Sequence, residues 1–119
     1  MTSVLIVEDD EDTRTSLAAL IERRGFGVAT AAKGEDALEA LKAEGTPQLI
    51  ILDLMLPGMS GWQVRVEFLS QAELVRTPVV LLSALNDVEQ HAKILGAVDY
   101  LRKPIDLGKL YDLLDAYCR

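Results

Sequence analysis

The sequence predicts an α/β protein built on one doubly wound, five-stranded parallel sheet. Two observations lead there. Five short apolar runs alternate with five amphipathic stretches, with no internal repeat and no low-complexity linker. The strongest runs are apolar at every position, as expected of strands buried on both faces. Strands alternating with helices imply a parallel sheet, right-handed crossovers and helices on both sides.

Val4, Leu5, Ile6 and Val7 form the first run, rich in β-branched residues. Residues 13–24 then repeat apolar side chains at Leu17, Leu20 and Ile21, a helical stripe ended by Gly25. Residues 28–31 make a weaker second strand. Residues 34–44 carry Ala37, Leu38 and Leu41 on one helical face and are closed by Gly45 and Pro47. The third strand, residues 49–52, is stopped by Asp53. Residues 60–69 read as a helix through Val64, Phe68 and Leu69. "TPVVLLS", residues 77–83, is the fourth strand, and residues 87–95 form a helix stopped by Gly96. A short fifth strand at 98–101 precedes a last helix at 106–117, with Leu110, Leu113 and Leu114 inward.

A chain of 119 residues fits one domain over residues 1–119. Its net charge of −7 argues against direct binding to nucleic acid or to anionic membranes, and suits a cation or a positively charged partner. The single cysteine, Cys118, excludes an internal disulfide and any multi-cysteine metal site. No apolar stretch reaches the ~20 residues that span a bilayer, and the N-terminus lacks a signal-peptide layout. A soluble, cytoplasmic protein is expected. Met1 lies close to the first strand, so the domain is expected to be N-terminal if it belongs to a longer protein.

The first strand runs directly into five acids, Glu8 to Asp12, in "LIVEDDEDTR". Such a run ordinarily marks solvated surface or an acidic helix start. The other strand ends change its meaning, because the third ends in Asp53, the fourth in Ser83, and the fifth leads to Lys103-Pro104. In open α/β sheets, functional residues gather at these carboxyl ends. Three carboxylates brought together repel one another unless a hard divalent cation such as Mg²⁺ joins them. Carboxylates, Mg²⁺, a lysine and a hydroxyl are the parts required for phosphoryl transfer. In that chemistry Asp53 is the nucleophile, Asp9 binds the metal directly and Glu8 binds it through water. Lys103 pairs with phosphoryl oxygens, and Ser83 donates to them. Taken singly, each residue fits a turn, a cap or a solvated side chain.

Four segments in order carry a resemblance. "LIVEDD", "DLMLPGMSG", "VVLLSA" and "DYLRKP" resemble the acidic pair, phosphoacceptor segment, hydroxyl position and lysine-proline pair of the two-component response regulator receiver domain. The resemblance covers essentially the whole chain and includes the spacings between the segments. It implies a flavodoxin-like (βα)5 fold with strand order 2-1-3-4-5, and a phosphorylation-dependent signalling function without turnover of an external substrate. It implies phosphorylation of Asp53 by a histidine kinase or histidine phosphotransfer domain. The Met55 backbone carbonyl joins Glu8, Asp9 and Asp53 in the Mg²⁺ site, and Lys103-Pro104 is a cis peptide. Pro57 and Gly58 shape the loop after the phosphoacceptor, and Gly61 lets the next helix start close by. Ser83 and Tyr100 form a switch that repacks the face made by the fourth helix, fifth strand and fifth helix. That face serves an unknown output partner, an effector domain or a homodimer. Thr13, Arg14, Leu17 and Ile105 are candidate contacts for the phosphodonor. Met55 and Leu85 are apolar where the family often has acids or small polar residues, so the resemblance gives no phosphoryl lifetime. Val98 also departs, and Gly108 in the first turn of the fifth helix is expected to loosen the output face.

Two other classes compete. A phosphohydrolase with an aspartyl-phosphate intermediate would carry a second Asp two residues after the nucleophile, where Met55 stands. A phosphorylation-independent interaction module would lack some of the site residues, and all are present. His91 reads as a surface residue, and Trp62 as partly exposed. Arg14 could alternatively pair with local acids.

Overall fold

The computed structural model describes residues 2–118, so Met1 and Arg119, the ends of the expected domain, lie outside the described residues. Strands β1 (Val4–Val7), β2 (Val28–Ala31), β3 (Leu49–Asp53), β4 (Val79–Ser83) and β5 (Asp99–Arg102) alternate with helices α1 (Glu11–Arg23), α2 (Gly34–Glu44), α3 (Gly61–Leu69), α4 (Val88–Leu95) and α5 (Leu107–Tyr117). All pairings are parallel, in the order β2-β1-β3-β4-β5. This is the five-stranded flavodoxin-like architecture the sequence predicts.

Side chains alternate across a strand, so each buried strand serves two cores. Leu5, Val7, Ile50, Leu52, Val79 and Leu81 join α2, α3 and α4 through Ala37, Val64, Phe68 and Ala92. Val4, Ile6, Leu49, Ile51, Val80 and Leu82 join α1 and α5 through Leu17, Ile21, Leu110, Leu113 and Leu114. Burial on both faces is why β1, β3 and β4 are apolar runs without polar alternation. Cys118 closes the second core, 2% exposed, and burial pushes its thiol up to about 11.

Element ends move by one or two residues from the sequence expectation, for identifiable reasons. Helix α1 starts at Glu11 because Asp10 caps it: Asp10 Oδ2 accepts from Thr13 N at 2.9 Å and from Thr13 Oγ1 at 2.6 Å. Strand β4 starts at Val79 because Pro78 has no amide to give the ladder. A capping box starts α3, with Ser60 N donating to Gln63 Oε1 and Gln63 N to Ser60 Oγ. The buried stripe of α3 also differs. It runs through Gly61, Val64, Arg65 and Phe68, whereas Leu69 is exposed.

Gly61 places α3 against the end of β3. Its N–H donates to Leu54 O at 3.0 Å. A Cβ here would overlap the Asp53 carbonyl oxygen and sit 2.6 Å from Leu54 Cα, both backbone atoms that cannot rotate away. Gly61→Ala is therefore expected to cost about 1–3 kcal/mol through overpacking, read as a lower urea midpoint. An unchanged midpoint would show that α3 can lift off β3 freely.

Candidate functional site

The sheet register assembles the site. Val7 pairs with Leu52, Asp53 with Leu82, and Ser83 with Arg102. Glu8, Asp53, Ser83 and Lys103 therefore emerge at one end of four adjacent strands. The ladder continues past the strand ends through Glu8 N to Ala31 O at 3.0 Å, Leu54 N to Leu82 O at 3.2 Å and Lys103 N to Ser83 O at 2.9 Å. The Lys103-Pro104 bond is cis.

The Lys103 ammonium lies between two buried carboxylates. It sits 2.5 Å from Glu8 Oε1 as an ion pair and 3.2 Å from Asp53 Oδ2, to which it donates a hydrogen bond. Glu8 is 0% and Asp53 2% exposed. The other Asp53 oxygen accepts from Met55 N at 2.9 Å, and Glu8 Oε2 accepts from Asp10 N at 3.3 Å. Asp9 is exposed at the mouth.

These surroundings shift the titrating groups in ways that follow from charge and burial. Burial, reinforced by Asp53 alongside, holds the Glu8 carboxyl above its usual range despite Lys103. Partial burial and then Glu8 raise Asp9. Burial by itself would lower Lys103, but Glu8 and Asp53 together outweigh it and raise the ammonium.

Carboxylate oxygens of Glu8, Asp9 and Asp53 lie within 4.8 Å of one another. Three carboxylates against one ammonium leave excess negative charge on hard oxygen donors. This donor set fits a hard divalent cation better than a soft one.

The remaining candidates divide into three settings. Ser83 is fully buried, and its Oγ accepts from Leu85 N at 3.0 Å, tying it to the loop that leads into α4. Tyr100 packs beside the same core, with Lys109 Nζ 3.8 Å and Arg102 Cζ 5.9 Å from its ring centre. Thr13, Leu17 and Ile105 line a cavity of about 390 Å³ between α1 and the start of α5, which Lys103 and Pro104 also border. The Met55 side chain is 62% exposed.

Three residues have settings that the sequence does not indicate. Arg14 NH1 donates to the carbonyls of Glu8 at 2.9 Å and Asp9 at 3.3 Å, bracing the acidic loop rather than pairing with its carboxylates. His91 is partly covered rather than fully solvated: its side chain is 20% exposed, it pairs with Asp87 Oδ2 at 3.1 Å, and its ring meets that of Trp62 edge-on, centre to centre 4.1 Å. Arg65, which the sequence reading passed over, is buried between α3 and α4. Its position four residues after Gly61 and three before Phe68 was the available signal.

The raised Glu8 carboxyl has a consequence for stability. The folded protein holds this proton more tightly than the unfolded chain, so stability falls as pH rises from the ordinary 4.5 to the higher folded value. Glu8→Gln removes that slope. In EDTA, the stability of the variant relative to wild type is expected to increase with pH across this window and level off above it. Urea denaturation at a series of pH values checks this, and a pH-independent difference would contradict it.

The described residues contain no helix long and apolar enough to cross a membrane. The family described as the response regulator receiver domain matches residues 4–115. The chain is similar to the transcriptional regulatory protein AfsQ1 of Streptomyces coelicolor, at 43% identity over 114 residues. That match covers 94% of this chain and 48% of AfsQ1, so the chain spans about half the length of this relative. Chemotaxis protein CheY4 of Vibrio cholerae shares the fold with a TM-score of 0.87 and 28% identity, covering 98% of each chain. The receiver domain of sensor histidine kinase PA1611 from Pseudomonas aeruginosa PAO1 has a TM-score of 0.83 and 26% identity, covering 98% of this chain and 96% of that one. It holds a magnesium ion coordinated in its active-site cleft. The chain therefore belongs to the response regulator receiver domains, signalling modules of two-component systems rather than classical metabolic enzymes.

Proposed function

We propose that this domain accepts a phosphoryl group on Asp53 from a histidine kinase or a histidine phosphotransfer domain. The observation that carries the reading is the Lys103 ammonium held between Glu8 and Asp53, with Asp9 within ligand distance of both acids. An Asp53 oxygen attacks phosphorus and forms the O–P bond. The P–N bond of the donor phosphohistidine breaks, and its electron pair and a proton remain on the imidazole. Lys103 and the Met55 N–H neutralise and orient the acceptor, and Ser83 donates to a phosphoryl oxygen. Asp9, Asp53 and the Met55 carbonyl would hold Mg²⁺ directly, and Glu8 would hold it through water. The ion supplies charge neutralisation for the transferring group.

The groove lined by Thr13, Leu17 and Ile105 is the docking surface for the donor's histidine-bearing helix, with Arg14 next to it on α1. Its border with Lys103 supports this, because a donor seated there reaches Asp53. Engagement of Ser83 by the phosphoryl group releases Tyr100 to repack the α4-β5-α5 face, which serves an output partner, an attached effector domain or a homodimer. The domain spans residues 1–119 and acts in the cytoplasm, where a kinase would supply phosphate.

Acetyl phosphate with Mg²⁺ is expected to add one acid-stable, base-labile phosphoryl group by intact mass. Asp53→Ala and an EDTA control should show none. Lys103→Met is expected to slow modification about a hundredfold, the scale of losing one donor aimed at developing charge. Wild type that stays unmodified, and also fails to bind fluoroberyllate with Mg²⁺, would overturn the reading.

A further inference from the structure

The two ends of α4 are held very differently. At its C-terminal end, Gly96 takes left-handed backbone (φ 66°), and Gly96 N and Ala97 N close the last turn onto Lys93 O and Ala92 O. Two further carbonyls are bound from another helix. Arg65 Nε on α3 donates to Leu95 O at 2.9 Å, and its NH2 donates to Gly96 O at 3.1 Å. Arg65 is only 4% exposed and its NH1 has no hydrogen-bond partner among the described residues. A buried cation without a carboxylate is costly. What compensates it here is the negative end of the α4 dipole and these two charge-assisted bonds. Moving the C-terminal end of α4 would strip both from a charge that has no other hydrogen-bond partner among the described residues.

The N-terminal end has no buried anchor of this kind: the bond nearest it is an exposed one, from Arg102 NH2 to Asn86 O at 3.1 Å, one residue before the cap. The Asp87 side chain makes no capping bond, since its carboxylate is turned to His91 Nε2; its carbonyl accepts from Gln90 N at 3.0 Å and His91 N at 3.2 Å, and Val88 N reaches Leu85 O at a long 3.4 Å. Leu85 is in turn bonded to Ser83 Oγ. Any displacement of the Ser83 hydroxyl thus pulls the loop that feeds the loose end.

We propose that Arg65 is the pivot of the switch, a positioning residue that pins the C-terminal end of α4 to α3 so that α4 swings from its N-terminal end. This rests on the phosphorylation-dependent reading above. Arg65 touches no reacting group. It converts a hydroxyl shift into a rotation of α4 rather than a release of the helix.

The test is site-resolved amide hydrogen exchange on the full chain, with and without fluoroberyllate and Mg²⁺, whose binding is followed separately by fluorine resonances. In wild type, the Gln90 and His91 amides are expected to change on binding while Gly96 and Ala97 do not. Without ligand, Arg65→Met is expected to speed exchange at Gly96 and Ala97 about tenfold or more, the scale of losing charged hydrogen bonds, and much less at Gln90 and His91. Arg65→Lys keeps the charge and should restore part of that protection, a rescue that guards against general unfolding in the first variant. Bound fluoroberyllate with equal changes at both ends would overturn the pivot alone, as would an Arg65→Met variant with unaltered exchange at Gly96. Absence of bound fluoroberyllate in wild type would overturn the phosphorylation reading and the pivot with it.

Discussion

One ammonium group makes the rest of this site sustainable. Glu8 and Asp53 are both closed off from water, and two buried carboxylates side by side cannot both remain ionised without a cation between them. Lys103 supplies that cation from just past the last strand, at 2.5 and 3.2 Å. The constraint reaches back into the topology. Lys103 can stand opposite Glu8 only if β1, β3, β4 and β5 lie side by side in parallel, with the register held past each strand end. Neutralisation is also incomplete, because Asp9 adds a third acid at the mouth. The folded chain therefore retains an uncompensated negative site for which a hard cation is the natural complement.

A charged site embedded this way needs a stiff floor and a compliant rim, and the residues divide accordingly. The floor is the doubly packed sheet, whose aliphatic side chains leave little space for adjustment. Gly61 extends the floor outward by letting α3 press directly on the Asp53 carbonyl. The rim is the segment after β4. There the Ser83 hydroxyl is bonded to Leu85 and the N-cap of α4 has no side-chain bond. Mechanical change is thus favoured on the α4 side of the site and opposed on the α3 side. Arg65 joins α3 to the C-terminal end of α4.

The sheet and its polar ends were legible because both signals are local. A continuous apolar run reports burial on two faces, and the residue that ends it reports where the cluster forms. Glu8, Asp53, Ser83 and Lys103 could each be placed at the same edge for that reason. Arg65 and His91 were not legible in the same way. The partners of Arg65 are two backbone carbonyls about thirty residues away (its bonds span 30 and 31 positions), and no side-chain pattern announces a carbonyl. An arginine on an apolar stripe reads as an interruption, so the pattern points to Leu69, whereas Arg65 is the buried residue. His91 looked solvated among polar neighbours, but its cover comes from Trp62 on another helix. Helix ends shifted where a cap decided the boundary, as Asp10 does for α1.

The acidic run from Glu8 to Asp12 shows how like charges in sequence become compatible in space. Each is placed in a different setting, so that the repulsion between neighbours does not accumulate. Glu8 turns into the protein and meets Lys103. Asp9 remains at the surface of the cluster, where water and a cation can reach it. The carboxylate of Asp10 is bound by Thr13, which holds it below its usual range. Glu11 and Asp12 fall in the first turn of α1, at the positive end of its dipole. Arg14 then fixes the backbone of the turn through the Glu8 and Asp9 carbonyls, leaving the carboxylates unspent. That last choice matters most for function. An arginine paired with Asp9 would cancel the charge that attracts a cation, whereas one bonded to the backbone holds the acids in place and leaves their charge available.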